Sequence, residues 1–175
     1  MAKKAGREAT VSWSTASKST ALAALAALTF STGAAANCWQ ESGDRHGVDP
    51  LLLYSIAKVE SSLNPRAVNQ NTNGTQDVGL MQINSIHLTW LAKRGITRQQ
   101  LLDEPCLSID VGAEILADFI KRYGYTWRAV GAYNAGGADS REEARKRYVK
   151  RVWQHYLVLA QARDDKVRQA QLARQ

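Results

Sequence analysis

The sequence predicts an all-α fold, a single compact domain with at most a small β-like turn region around residues 66 to 83. Three observations carry that prediction. Apolar residues recur at three-to-four spacing through most of the chain. Helix starts and stops punctuate those segments. No stretch alternates convincingly in the manner of a strand, and there is no internal repeat or linker. The 175 residues are 45% hydrophobic and 22% charged, a composition that suits one globular domain.

Asp49 is placed to cap a first helix, with Pro50 at its first position, where a missing N–H costs nothing. Leu52, Ile56 and Val59 would face the core. Asn64-Pro65 stops this helix, because a residue before proline avoids the α region. Residues 66 to 78 (RAVNQNTNGTQDV) are polar and turn-rich and read as a loop. A second helix is expected from Asn84 to Lys93, ending at Gly95. Thr97 and Gln100 form a capping box for a short third helix that stops before Pro105. Ser108 opens a fourth, with Ile109, Ala113, Leu116 and Tyr123 on one stripe and Gly124 closing it. Thr126 caps a fifth, WRAVGAYNAG. A last helix is expected from Ser140 to Leu159, carrying Tyr148, Val152 and Tyr156 on one face.

The N-terminus differs from the rest. Lys3, Lys4, Arg7 and Lys18 precede the apolar run Ala21 to Phe30, and Ala34 and Ala36 stand at the spacing of a small-residue cleavage site. This is the pattern of a secretory signal peptide over residues 1 to 36, with an uncleaved anchor as the competing reading. The expected domain spans residues 37 to 160, followed by a polar tail over 161 to 175 that reads either as a frayed extension of the last helix or as disordered. No apolar run reaches the roughly 18 residues of a membrane span.

The segment set aside removes four basic residues and one acid, which takes the net charge from +7 to about +4. That charge favours anionic partners such as wall polymer or a membrane surface, and export argues against nucleic acid. The basic run RKRYVKR, Arg145 to Arg151, reads as a solvated helix face with Tyr148 turned inward. Two cysteines, Cys38 and Cys106, suggest a disulfide in an exported chain, with two free thiols as the alternative. His46, His87 and His155 are scattered, and no metal site or cofactor is expected.

Three stretches could hold chemistry. In LLLYSIAKVESS, residues 51 to 62, Glu60 is the one carboxylate, on the last turn of the first helix. Burial and the negative end of the helix dipole would both raise its pKa, making a proton donor near neutral pH. The plainer alternative is a solvated Glu paired to Lys58 or Arg66. In GLMQIN, Gly79 allows close backbone approach, Met81 packs adaptably, and Gln82 and Asn84 bring amides suited to sugar hydroxyl and acetamido groups. In AYNAGG, Tyr133 and Asn134 offer a hydroxyl, a ring face and an amide, with glycines beside them.

Taken in order, Glu60-Ser61, DVGLMQIN (Asp77 to Asn84), LLDEPC (Leu101 to Cys106) and YGYTWRAVGAYNAG (Tyr123 to Gly136) form a specific combination, with Cys38-Trp39 ahead of them. Over residues 37 to 136 the chain resembles the lytic transglycosylases of the lysozyme-like superfamily, the Slt type. More narrowly it resembles small exported enzymes that accompany conjugation, type III or type IV secretion, and pilus systems. One departure stands out. Larger relatives often carry a Ser-Pro-x-Gly-Ala sequence before GLMQ, where this chain has NTNGTQDV. Asn73 and Thr75 are the candidates for that serine's place near the substrate acetamido group, and the sequence does not choose between them. Asp77 reads as a structural loop residue.

The resemblance implies a lysozyme-like fold and cleavage of the β-1,4 bond between N-acetylmuramic acid and N-acetylglucosamine in peptidoglycan, in a bacterial periplasm. It implies a single catalytic carboxyl group, Glu60, acting first as acid and then as base. Gly79, Met81, Gln82, Asn84, Tyr133 and Asn134 are the implied substrate-binding residues. A component of a transfer or secretion machine is the implied partner. The rival readings are a hydrolysing muramidase on the same fold and a wall-binding scaffold. Asp77, Asp103, Glu104 and Asp110 stay candidates for a second carboxylate.

Overall fold

The computed structural model of the chain describes residues 32 to 174, with side chains from residue 37 onward. The basic and apolar segment expected to be a signal peptide lies outside the described residues up to Ser31. Helix α1 spans Thr32–His46. The sequence reading begins its first helix at Asp49, so the whole of this helix was unexpected, and its first turn falls inside the segment set aside. A disulfide joins its Cys38 to Cys106 and fastens α1 to the start of helix α5, Pro105–Tyr123.

Helix α2, Pro50–Ser61, begins as expected: the Asp49 carboxylate accepts the Leu51 N–H at 2.8 Å, and Pro50 takes the first position. The same carboxylate also accepts the Tyr156 hydroxyl at 2.8 Å, which ties the α2 start to helix α7, Glu142–Leu172. Leu52, Leu53, Ile56 and Ala57 are buried on one face. Each large apolar side chain removed from water in this way contributes about 1.5–3 kcal/mol before conformational entropy is counted. The helix stops when Ser62 and Leu63 turn left-handed, at φ 55 and 67.

The loop that follows folds into a small antiparallel sheet, ordered β1-β2-β3: Val68–Gln70, Gln76–Val78 and Ile83–Asn84. Val68 pairs with Val78, and Val78 in turn with Ile83. The second expected helix is shorter than the sequence predicts. Asn84 stays extended in β3, and its side chain accepts the Ile86 N–H, opening a 3-10 turn over Ser85–His87. Only then does helix α3, Leu88–Ala92, begin.

Helix α4, Arg98–Asp103, carries the expected Thr97–Gln100 capping box. Helix α5 starts at Pro105, three residues before the expected Ser108, because Pro105 fits its first position. Ser108 is turned into the core instead, where its hydroxyl oxygen accepts the Met81 N–H at 3.2 Å. Helix α6, Trp127–Ala135, is capped by Thr126. Helix α7 runs on to Leu172, past the expected end at Leu159, so of the two readings of the polar tail the helical extension is the one observed. From residue 161 its side chains are exposed, and Arg163 pairs with Asp49 at 3.3 Å.

The core gathers Leu53 and Ile56 of α2, Met81 and Ile83, Leu91, Leu101, Ile109 and Leu116 of α5, and Tyr148 and Val152 of α7. Helix α5 packs against α1, α4 and α6, while α7 lies against α2 and α6. The end of α2, the small sheet and the C-terminal half of α6 therefore meet over one core. No helix among the described residues is long and apolar enough to cross a membrane.

Candidate active site

A cleft of about 440 Å³ opens where these elements meet. Glu60 lines it together with Gln82, Asn84, Tyr133 and Asn134. Five of the seven residues singled out by sequence therefore share one cavity. Gly79 and Met81 lie beneath it, both buried. Gly79 turns the chain at φ 78, and a Cβ there would overlap the Leu101 carbonyl. The Met81 side chain packs on Gly112, where a Cβ would stand 2.8 Å from its Cε.

Glu60 is partly buried, and neither bland partner holds it: Arg66 pairs with Asp103 at 2.8 Å, and Lys58 is exposed. Instead the Tyr148 hydroxyl of α7 donates to Glu60 Oε1 at 2.6 Å. Removal from water pushes the Glu60 pKa up from 4.5 to about 7. The Tyr148 hydrogen bond works the other way, the negative charge of Asp77 adds to the rise, and Arg151 and the Asn134 amide favour the charged form. The net result is a carboxyl group that exchanges its proton near neutral pH. Burial, one of the two causes anticipated from sequence, is the largest contribution to the rise.

The Glu60-Ser61 pair has a structural logic. Ser61 Oγ donates to the Leu80 carbonyl at 2.7 Å, which pins the end of α2 to the GLMQ turn. The Tyr133 hydroxyl donates to the Met81 carbonyl at 2.8 Å and pins α6 to the same turn. Gln82 sits in the left-handed region at φ 50, uncommon for a residue with a side chain. Its Nε2 donates to the Gly79 and Ala67 carbonyls at 2.8 and 3.1 Å, and its Oε1 accepts from Asn69 at 2.6 Å. The Gln82 amide thus holds the turn in shape. Asn84 is engaged too: its Nδ2 donates to Asp77 Oδ1 at 2.7 Å and to Thr75 Oγ1 at 3.0 Å.

The four candidates for a second carboxylate separate in space. Asp110 pairs with Arg45 and with His46, and Asp103 with Arg66. Glu104 is exposed and does not line the cleft. Asp77 does line it, and its two oxygens accept amide N–H groups of Asn84 and Asn71, the latter at 2.9 Å. Among the described residues, no group of three or more His, Cys, Asp or Glu side chains is placed to hold a metal ion.

Sequence reasoning placed Tyr148 on a core stripe and missed its bond to Glu60. It also missed His87, Ile115 and Arg141, which line the cleft, and the role of Arg145. Arg145 is buried and donates to the Gly136 and Ala138 carbonyls, both at 2.8 Å, and to the Glu142 carboxylate. It closes the end of α6 just past Tyr133 and Asn134, and Gly131 leaves room for its stem. The basic run was therefore only partly a solvated face. Buried Arg145 and Tyr148 carried one visible signal, since both fall on the inward stripe of an amphipathic helix.

Residues 37 to 156 match the family model described as the transglycosylase SLT domain. The invasion protein IagB of Salmonella typhimurium is 50% identical over 121 residues, covering 69% of this chain and 76% of that protein. Protein IpgF of Shigella flexneri is 41% identical over 125 residues, covering 71% of this chain and 82% of its own length. Among solved structures, an inactive mutant of the lytic transglycosylase Slt from Pseudomonas aeruginosa superposes with a TM-score of 0.58 at 22% identity. That match covers 73% of this chain but 24% of the larger protein, and it shows the fold.

Proposed function

The chain belongs to the transglycosylase SLT domain family, and from that membership we propose that it cleaves the β-1,4 bond between N-acetylmuramic acid and N-acetylglucosamine in peptidoglycan. Glu60 first gives its proton to the glycosidic oxygen, and the bond from that oxygen to the anomeric carbon breaks. The Glu60 carboxylate then takes the proton of the muramic C6 hydroxyl, whose oxygen bonds to the anomeric carbon. A 1,6-anhydro ring closes, Glu60 is reprotonated, and no water is consumed.

The observation that carries this reading is the state of Glu60. A carboxyl group that titrates at about 7 serves equally as acid and as base at neutral pH. Tyr148 fixes one of its oxygens, and the cleft gives a sugar access to it. The Slt neighbour is described as an inactive mutant, and the change in it is of a glutamate to glutamine. The test is Glu60→Gln with intact peptidoglycan as substrate and mass spectrometry of the products. The parent should release anhydro-muropeptides and the variant should release none while keeping its fold. Release at the parental rate by the variant would remove Glu60 from the acid role.

One observation favours a second reading. Asp77 shares the cleft with Glu60, as a second carboxylate must in a hydrolysing muramidase. The same spectra separate the two, because an anhydro end is lighter than a reducing end by one water. Export to the periplasm, and local opening of the wall for an envelope-spanning machine, complete the proposal. The first rests on the N-terminal pattern of residues 1 to 36, the second on the likeness to a relative named as an invasion protein. N-terminal sequencing of the periplasmic form tests the first. Assembly of the machine in a strain carrying only Glu60→Gln tests the second.

A further inference from the structure

We propose that His87 is a glycan-binding residue whose Nε2–H donates to the acetamido carbonyl oxygen of a sugar lying in the Glu60 cleft. The proposal rests on the glycan-cleaving reading above and adds to it a selection for N-acetylated sugar. The geometry fixes which ring nitrogen carries the proton. Trp90 Nε1–H donates to His87 Nδ1 at 3.1 Å. An indole N–H only donates, so Nδ1 is the acceptor and the neutral ring carries its hydrogen on Nε2. Partial burial lowers the His87 pKa below its ordinary value, so the ring is neutral at neutral pH.

The ring is braced from behind. The Arg94 guanidinium lies over the Trp90 ring at 5.1 Å and pairs with Glu114 of α5 at 2.6 Å. Among the described residues Nε2 has no hydrogen-bond partner, and His87 lines the cleft.

A count of donors singles this group out. The amide hydrogens of Gln82 and Asn84 are engaged within the protein, as described above. Those of Asn71 go to Thr75 and Asp77, and the Tyr133 hydroxyl goes to Met81. Thr72, Asn73, Asn134 and Arg141 line the cleft but are exposed. His87 is the part-buried donor held in one orientation. Its Nε2–H donates and accepts nothing, which suits a carbonyl oxygen better than a hydroxyl group. Ile83 and Ile115 give the otherwise polar cleft two apolar side chains for the acetamido methyl group. This selection does not need the serine that the larger relatives carry before GLMQ.

The experiment compares the parent, His87→Phe and His87→Gln on purified peptidoglycan and on the same material chemically de-N-acetylated. Gln can place an amide N–H near the position of Nε2. On acetylated substrate His87→Phe should lose about tenfold in kcat/KM, the scale of one lost hydrogen bond, and His87→Gln should recover most of it. On de-N-acetylated substrate the parent and His87→Phe should match. An equal loss on both substrates, or no loss on either, overturns the proposal. Nitrogen-15 NMR of the parent should show the Nε2–H tautomer, shifting toward a mixture in Trp90→Phe, and an Nδ1–H tautomer in the parent also overturns it. Should the parent prove not to cleave glycan, the proposed function fails separately, and the same comparison is made by calorimetric binding of chitotetraose and its de-N-acetylated form. Absence of parental binding, or binding unaffected by His87→Phe, then counts against His87.

Discussion

Replacing Glu60 by Gln should abolish cleavage and yet stabilise the fold above neutral pH. Glu60 titrates near 4.5 in an unfolded chain and at about 7 in the folded one. Below pH 4.5 both states hold the proton, and the group has no effect. Between 4.5 and about 7 the unfolded state ionises while the folded state keeps its proton, so stability falls with each step in pH. Above 7 both are ionised and the deficit is constant. At about 1.4 kcal/mol per pH unit, the gap sets an upper figure of about 3–4 kcal/mol. Gln does not titrate, and its carbonyl oxygen still accepts the Tyr148 hydroxyl, so the variant escapes the deficit. Urea unfolding of both proteins from pH 4 to 8, with the disulfide intact, reads it directly. The other titrating groups are common to both proteins and cancel. The stability difference should be near zero at pH 4 and grow in favour of the variant by about 3 kcal/mol at pH 8. Parallel curves would refute the reasoning, because they would mean that Glu60 ionises alike in both states.

Tyr148→Phe removes a donor that favours the charged form of Glu60, so the alkaline limb of the activity profile should move to higher pH; an unmoved limb would deny that the bond tunes the acid. Replacing both Cys38 and Cys106 by Ser opens a loop with a sequence separation of 68 residues and should cost up to about 4 kcal/mol by chain entropy, read as a lower urea midpoint. Gly131→Ala would put a Cβ 2.8 Å from that of Arg145, a buried stem with little room to yield, and should cost about 1–3 kcal/mol in the same assay.

Much of the site could be read from the chain because its parts are local. Glu60-Ser61 ends a helix whose cap, first residue and stop are all written in sequence, and Ser61 reaches the GLMQ turn only 19 residues on. Gly79, Gln82 and Tyr133 belong to short motifs whose identities reflect one turn, although their bonds hold that turn rather than reach outward. Tyr148 was hidden because its partner lies 88 residues away, and only the crossing of α7 over α2 brings them together. His87 was hidden for a different reason. Its neighbours predict one continuous helix, and the donation that sets its tautomer requires Trp90 three residues on, a pairing that side-chain geometry decides. All of α1 was missed: its first turn overlaps the signal-peptide pattern, and the polar residues that follow carry no clear apolar stripe to mark a helix before Asp49.

The count of carboxylates shows where reading a chain stops and reading a site begins. In sequence Glu60 stands alone at the end of an apolar helix, and that solitude suits a mechanism in which the substrate brings its own nucleophile. In space it has company, since Asp77 lines the same cleft and helps raise its pKa. Each Asp77 oxygen already accepts an amide N–H, so Asp77 is held in place rather than free to swing toward a water. A fixed negative charge has two uses under the proposed chemistry. It keeps Glu60 protonated until the sugar arrives, and it faces the positive charge that develops at the anomeric carbon. Both uses survive without water, so the second carboxylate does not by itself turn the site into a hydrolase. Asp77→Asn separates the roles: it should lower the Glu60 pKa and slow cleavage while leaving the products anhydro. A change in product type would instead assign Asp77 to water activation.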